Sequence, residues 1–176
     1  MFEIKILDQY WIDKETNNQT DLCSHGSLFI KFNDTIIADE NDGDWTISTT
    51  ALQLLRAVEN NHEVNTHYPM VQHCGQLEFL GCPISIDWES IYQGDVIKIS
   101  KVLKLNDTDE KNTIHFTGLE MIIDKKAYIK EVIDFTENVI VYFEGHNPPL
   151  EDDYDRNNYN SFWKELNHLY YKYKRK

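Results

Sequence analysis

The sequence predicts a single α+β domain over residues 1–176, in which an antiparallel-rich sheet packs against about three helices. Several short segments alternate apolar and polar residues, which is the pattern of half-buried strands. Three longer segments repeat apolar residues every three or four positions, which is the spacing of one helix face. The length is sufficient for one sizeable core, and a hydrophobic share of 41% argues against disorder.

The first helix is predicted near 48–61 and begins at three consecutive hydroxyl residues, Ser48, Thr49 and Thr50. We expect these hydroxyls to cap the free N–H groups of the first turn. An apolar stripe follows at helical spacing, formed by Ala51, Leu52, Leu54, Leu55 and Val58. Because strand-type segments lie on both sides, this helix is expected to pack across the sheet and close the core.

Two further helices are predicted in the C-terminal third of the chain. One covers 125–144, where strand propensity competes at Val139–Tyr142 but the charged residues group on one side of a helix. The other covers 157–173, after an acidic linker at Leu150–Asp155. The basic end of that helix, Lys172–Lys176, suits the negative end of a helix dipole.

The remaining apolar segments are predicted to be strands. Tyr10–Ile12 either extends the first strand or forms another, and Lys14–Thr20 is a polar loop. Asn33-Asp34 is typical of a hairpin turn. The predicted strands are 2–6, 28–32, 35–37, 77–80, 84–88, 96–102, 114–116 and 119–123.

The charge balance is strongly acidic, with 30 acidic against 17 basic residues and a formal net charge of −13. Such a surface repels phosphate backbones, so nucleic-acid binding is disfavoured. A basic protein would instead be attracted and steered toward it. The simpler alternative is that the acidity only keeps a cytosolic protein soluble. No stretch approaches the ~20 apolar residues of a membrane-spanning helix, so no membrane association is expected.

Cysteine usage indicates a reducing compartment. The N-terminal stretch MFEIKILDQYWID lacks the basic, apolar and small-residue regions of a secretory signal. Three cysteines cannot all pair within one chain. We therefore expect a cytoplasmic protein with reduced thiols.

Thiol and imidazole groups form the sharpest candidate site. Cys23 and His25 lie in the first third of the chain, and His73, Cys74 and Cys82 follow the first helix. The spacing lacks a CxxC pair, so we predict no metal or cofactor, with small buried cysteines and hydrogen-bonded histidines. Zinc held by some of these five residues is the alternative. A cysteine nucleophile, pairing Cys23 with His25 or Cys74 with His73, is a further alternative without a motif for a third group.

Two acidic segments are candidates for partner binding. The order of residues in Asp39–Asp44 does not fit a calcium-binding EF-hand loop, because Thr49 stands where the loop needs a glutamate. The second segment is the acidic run that ends at Asp155. We expect both segments to steer a basic partner, with Trp45 or Tyr154 as an apolar anchor. The predicted partner-binding residues are Asp39, Glu40, Asp42, Asp44, Trp45, Asp152, Asp153 and Tyr154, with Glu151 and Asp155 in the same second segment.

Four sets of residues carry a resemblance that covers most of the chain. They are the string Asp21–Gly26, Leu54-Leu55-Arg56 with Glu59 and His62, Gly81-Cys82-Pro83 through Ile86-Asp87-Trp88, and Pro148-Pro149 with Phe162-Trp163. Together they resemble a family of small uncharacterised bacterial cytosolic proteins, which carries no known catalytic residue. The size, acidity and mixed fold are also similar to those of immunity proteins from bacterial polymorphic toxin systems.

The functional prediction is a non-enzymatic bacterial binding protein, namely an immunity protein that occludes a cognate toxin domain encoded nearby. Nucleotide-binding, zinc-protease and α/β-hydrolase motifs do not occur in the sequence, which argues against those three enzyme classes and leaves an enzyme of another pattern open. The alternatives are a small metal-binding or thiol-dependent protein and an intracellular scaffold domain.

Overall fold

The computed structural model of the chain describes residues 1–12, 20–65, 67–77, 79–150 and 152–175. Within these ranges it contains three α-helices, which confirms the α+β prediction and the predicted helix number. They are α1 (Ile47–Glu59), α2 (Lys125–Tyr142) and α3 (Asp153–Lys174). Most of the predicted loop Lys14–Thr20, together with Glu78, Glu151 and Lys176, lies outside the described residues.

The strands follow the apolar segments of the sequence, and a 3₁₀ turn at Glu110–Asn112 interrupts them late in the chain. They are β1 (Phe2–Ile6), β2 (His25–Gly26), β3 (Leu28–Phe32), β4 (Thr35–Ala38), β5 (Trp45–Thr46), β6 (Val71–Gln72), β7 (Gly75–Gln76), β8 (Phe79–Leu80), β9 (Ser85–Gln93), β10 (Val96–Leu105), β11 (Thr113–His115) and β12 (Met121–Asp124).

All described strand pairs are antiparallel. One sheet has the order β1-β3-β4, and its hairpin turns at Asn33, whose φ of 53° is one that asparagine tolerates. A second sheet has the order β11-β10-β9-β6, with β12 also paired to β10, and two small pairs join β2 to β5 and β7 to β8. Tyr10–Ile12 contributes only a single bridge, between Tyr10 and His25, so its predicted strand is wrong.

The two larger sheets meet α2 at a buried group of aromatic rings. Phe2 of β1 stacks on Tyr128 of α2 with ring centroids 4.9 Å apart. Phe32 of β3 meets Trp88 of β9 edge-on at 5.2 Å. These contacts join residues from distant parts of the sequence into one core. The ring–ring interactions stabilise the fold beyond the effect of burying apolar surface. Among the described residues, no helix has the length and apolarity needed to cross a bilayer.

Helix α1 lies inside the protein and contacts α2, α3, β2 and β6. All of its residues except Arg56 and Glu59 are buried. The expected capping by Ser48, Thr49 and Thr50 is wrong, because Thr50 Oγ1 donates back to Thr46 O and the other two hydroxyls bond to other segments. Ser48 Oγ accepts a hydrogen bond from Ser24 N at 3.2 Å, and Thr49 Oγ1 donates to Leu77 O at 2.7 Å.

Helix α3 begins earlier in the sequence than predicted, because Asp152 caps it. The Asp152 side chain accepts a hydrogen bond from Asp155 N at 2.8 Å. Asp153 and Asp155 lie in the first turn, where carboxylates interact favourably with the positive end of the helix. The predicted acidic linker is therefore, from Asp153 onward, the first turn of the helix.

A buried carboxylate fixes the connection between α1 and β6. Asp87 of β9 is 1% exposed, and its Oδ1 accepts hydrogen bonds from Met70 N and Trp88 N. Its Oδ2 accepts from Asn65 N, and His62 Nε2 lies 2.8 Å from Oδ1. Because a buried carboxylate needs several donors to offset lost hydration, this arrangement holds His62, Asn65 and Met70 around Asp87.

We expect Asp87→Asn to lower the free energy of unfolding by about 2–4 kcal/mol. The amide can keep its oxygen at the Oδ1 position, but its NH₂ group then faces the Asn65 N–H, so that hydrogen bond is lost. The remaining bonds to Oδ1 lose the strength that the negative charge gives them. Urea denaturation followed by tryptophan fluorescence measures the change, with the exposed Asp95→Asn as control. Equal stability of the two variants would contradict the role given to Asp87.

Candidate functional site

The candidate site lies on residues 71–84, which run from β6 through β7 and β8 to Ile84 and are called here the 71–84 segment. In the described residues its regular structure consists of strands of two residues, of which β6 pairs with β9. Side chains in and just before the first turn of α1 also hold the segment. Thr46 Oγ1 donates to Gln72 O at 2.9 Å and Thr49 Oγ1 donates to Leu77 O. Leu77 N donates to Cys23 Sγ at 2.8 Å, so the segment is attached to the core at Gln72 and Leu77, two of its buried residues.

His73, Cys74 and Cys82 come together on this segment. Their ligand atoms all lie within 4.8 Å of one another, and Cys82 Sγ is 3.5 Å from His73 Nδ1. All three side chains are half-buried, so Cys74 and Cys82 depart from the expectation of buried cysteines. Of the five sequence candidates, Cys23 and His25 are not part of this group among the described residues.

Backbone geometry brings the two ends of the group together. Gly81 N donates to Cys74 O at 2.8 Å, and His73 N donates to Ile84 O at 3.0 Å. A Cβ at position 81 would lie 2.9 Å from Cys74 Sγ, and one at Gly75 would lie 1.9 Å from Phe79 O. Glycine at these two positions therefore permits the close approach that places the thiols side by side.

The surroundings of Cys23 and Cys74 favour the protonated form of both thiols. Burial raises the pKa of the Cys23 thiol to about 11, against the opposing effect of the Leu77 N–H. Burial, together with the hydrogen bond to Cys82, raises the pKa of Cys74 to about 11. Because a nucleophilic cysteine needs a lowered pKa, the structure favours neither Cys23 nor Cys74 as a catalytic thiolate.

The same segment carries an exposed aromatic group. Phe79 of β8 is 52% exposed and stacks on Tyr154 of α3, which is 60% exposed, with ring centroids 6.0 Å apart. Beside them, Tyr68 and Phe79 line a cleft of about 240 Å³ together with Leu77, Asn158 and Ser161. We call Tyr68, Phe79 and Tyr154 the aromatic patch.

Two acidic residues precede Tyr154 at the start of α3. Asp152 and Asp153 are exposed and immediately precede Tyr154. Asp152 also caps the helix, and Asp153 forms an ion pair with Arg156 at 2.6 Å. These two predicted residues therefore combine a structural role with a surface position next to an exposed ring.

The other acidic segment, 39–44, is partly occupied by internal contacts. Lys104 is buried, donates to Ile37 O at 3.1 Å and forms an ion pair with Asp42. The backbone and side-chain amides of Asn41 lower the pKa of Asp39 by hydrogen bonding to its carboxylate. Glu40 and Asp44 are exposed. Asp42 is thus primarily a counter-ion of Lys104.

The prediction of Trp45 as an exposed anchor is wrong. Trp45 is 1% exposed, because β5 pairs with β2 and turns this indole into the core. Its ring meets the His73 ring edge-on, with centroids 6.3 Å apart. The Trp45 side chain therefore packs against the 71–84 segment from the core side and is not part of the surface exposed to a partner.

Sequence reasoning missed Tyr68 and Phe79 as surface residues. Phe79 falls in a segment whose apolar residues predict a half-buried strand, and Tyr68 precedes Pro69 in an otherwise polar stretch. An aromatic residue isolated among polar ones was the available signal for Tyr68. No comparable signal existed for Phe79, because its exposure follows from the pairing of β7 with β8.

We expect Asp42→Asn to lower the free energy of unfolding by about 1–3 kcal/mol, because it leaves the buried Lys104 ammonium without its counter-ion. Thermal and urea unfolding measure the effect, with Glu40→Gln in the same loop as the matched control. Glu40 is exposed, so its substitution is expected to change stability by less than about 0.5 kcal/mol. Equal effects at the two positions would show that the Lys104 pair is unimportant.

Two features therefore share the 71–84 segment: a group of two thiols and an imidazole, and one ring of the aromatic patch. Asp152 and Asp153 precede Tyr154 of that patch in the sequence, whereas the 39–44 loop is connected to β10 by the ion pair of Asp42 with Lys104. Comparisons with protein-family models, curated proteins and solved structures found no match to this chain.

Proposed function

We propose that this chain is a non-enzymatic binding protein that occludes a basic partner protein, as an immunity protein occludes its cognate toxin domain. The observation that supports this most is the stacked and exposed pair formed by Phe79 and Tyr154. Phe79 lines a cleft, and two exposed acidic residues directly precede Tyr154 in the sequence. Aromatic residues next to a pocket, surrounded by polar groups, are the usual anchors of protein interfaces.

The charge of the chain selects the kind of partner. A net charge of −13 favours cationic surfaces and speeds their encounter with the protein. At the aromatic patch, Asp152 and Asp153 stand next to Tyr154 in the sequence and are both exposed. The proposed occupant is therefore an arginine- or lysine-bearing segment of a folded basic protein.

The chemistry of the patch suits a guanidinium group in particular. A cation over a tyrosine or phenylalanine ring is attracted by the π-electrons, and an arginine plane also stacks on such rings. The carboxylates at the start of α3 would accept hydrogen bonds from the same group. A cleft of about 240 Å³ has room for one long side chain of the partner.

Binding to the purified product of the gene immediately upstream tests the proposal. Tyr154→Ala is expected to raise the Kd by about 30-fold, the effect of losing an interface anchor worth roughly 2 kcal/mol. The matched control is Tyr171→Ala, since Tyr171 is 52% exposed and lies near the other end of the same helix. Titration calorimetry measures both affinities, and thermal unfolding verifies that both variants are folded.

The charge contribution is measured separately through the association rate. The double variant Asp153→Asn with Glu40→Gln is expected to slow association at low salt and to lose part of the salt dependence, because exposed charges mainly act on encounter. Glu144→Gln, a substitution at an exposed position elsewhere, serves as control. The proposal fails if the upstream product does not bind, or if its binding is unaffected by Tyr154→Ala and by salt.

A further inference from the structure

We propose that His73, Cys74 and Cys82 bind one zinc ion, with a fourth coordination position open to solvent or to an exogenous ligand. This inference is independent of the proposed function, since it concerns the isolated chain. Two thiols and one imidazole are ligands that zinc prefers, whereas magnesium and calcium prefer oxygen ligands. The three side chains are half-buried, so an ion can reach them from solvent.

The spacing of the donor atoms matches tetrahedral coordination. With Zn–S and Zn–N bonds of about 2.3 and 2.05 Å, a tetrahedral ion holds a sulfur and a nitrogen ligand about 3.6 Å apart. Cys82 Sγ and His73 Nδ1 are 3.5 Å apart, and all three donor atoms lie within 4.8 Å of one another. Little movement is therefore needed for the three atoms to surround one ion.

The backbone holds this arrangement before any ion binds. The hydrogen bond from Gly81 N to Cys74 O, and that from His73 N to Ile84 O, close the segment on itself. Because Gly81 has no Cβ, Cys74 Sγ can lie close to its backbone. The buried Trp45 ring contacts the His73 ring edge-on from the core side. Preorganised donors lose less conformational entropy on binding, which favours the metal complex.

The coordination number follows from the donor set. In the part of the chain that the structure describes, the group comprises one histidine and two cysteines. Structural zinc sites close with four protein ligands, whereas three protein ligands leave a position for water or another ligand. Binding through two thiolates and a neutral imidazole displaces two protons, so the complex adds no net charge to the protein.

Metal titration of the purified apo-protein tests the proposal. Added Co²⁺ is expected to give a sulfur-to-cobalt charge-transfer band in the near ultraviolet and strong visible bands of tetrahedral coordination. Added Zn²⁺ is expected to abolish these bands at one equivalent per chain and to remain bound through desalting. Neither measurement needs the partner protein, so failure here leaves the proposed binding function untouched.

Variants identify the ligands. Cys74→Ser, Cys82→Ser and His73→Gln are each expected to lose stoichiometric zinc, whereas His67→Gln, at an exposed histidine preceding the segment, retains it. Circular dichroism verifies that each variant is folded. The cobalt spectrum of the unaltered protein tests metal binding without any substitution, so a folding defect in a variant does not affect it. Absence of the charge-transfer band in the unaltered protein, or its persistence in folded Cys74→Ser and Cys82→Ser variants, would overturn the proposal.

Discussion

The structure depends on the burial of α1, a helix that contacts the rest of the protein on nearly every side. Only Arg56 and Glu59 of its residues are not buried, yet its first turn contains Ser48, Thr49 and Thr50. A buried hydroxyl without a partner costs about 1–3 kcal/mol, so each must find a hydrogen bond inside the protein. Thr50 bonds within the helix to Thr46 O, while Ser48 and Thr49 bond outward to other segments.

One of these outward bonds, from Thr49 to Leu77 O, connects α1 to the candidate site. In its described residues, the segment that carries His73, Cys74 and Phe79 has strands of two residues, and such short pairs are not stable by themselves. Thr46 of β5, which immediately precedes α1, provides a second attachment by donating to Gln72 O. A helix whose polar residues serve the fold thus also positions two thiols, an imidazole and an exposed aromatic ring.

Periodicity in the sequence predicted the elements well, because it reflects local geometry. The helical spacing over 125–144 outweighed strand propensity at Val139–Tyr142, and the structure has one helix over Lys125–Tyr142. Boundaries were less accurate where side chains decide them. Helix α3 begins at Asp153, earlier than predicted, because the Asp152 carboxylate caps it. An acidic run in the sequence has the same composition whether it caps a helix or forms a solvated linker.

Contacts between distant parts of the sequence could not be predicted from one chain. Thr49 resembles a helix cap by position, and only the fold brings Leu77 O to its hydroxyl. The same limit applies to the site. His73, Cys74 and Cys82 are near neighbours in sequence, so their grouping could be predicted. Cys23 lies outside that group because it is buried against Leu77 N, and Trp45 is buried because β5 pairs with β2, and neither contact is visible in the sequence.

Hydrogen exchange in the variant Thr49→Val tests most directly whether α1 holds the site. The substitution removes the hydroxyl that donates to Leu77 O and keeps a side chain of similar shape. The account predicts faster exchange at the amides of β7 and β8, with exchange in the β1-β3-β4 sheet unchanged. Unchanged exchange in β7 and β8, or a uniform increase over the whole chain, would contradict it.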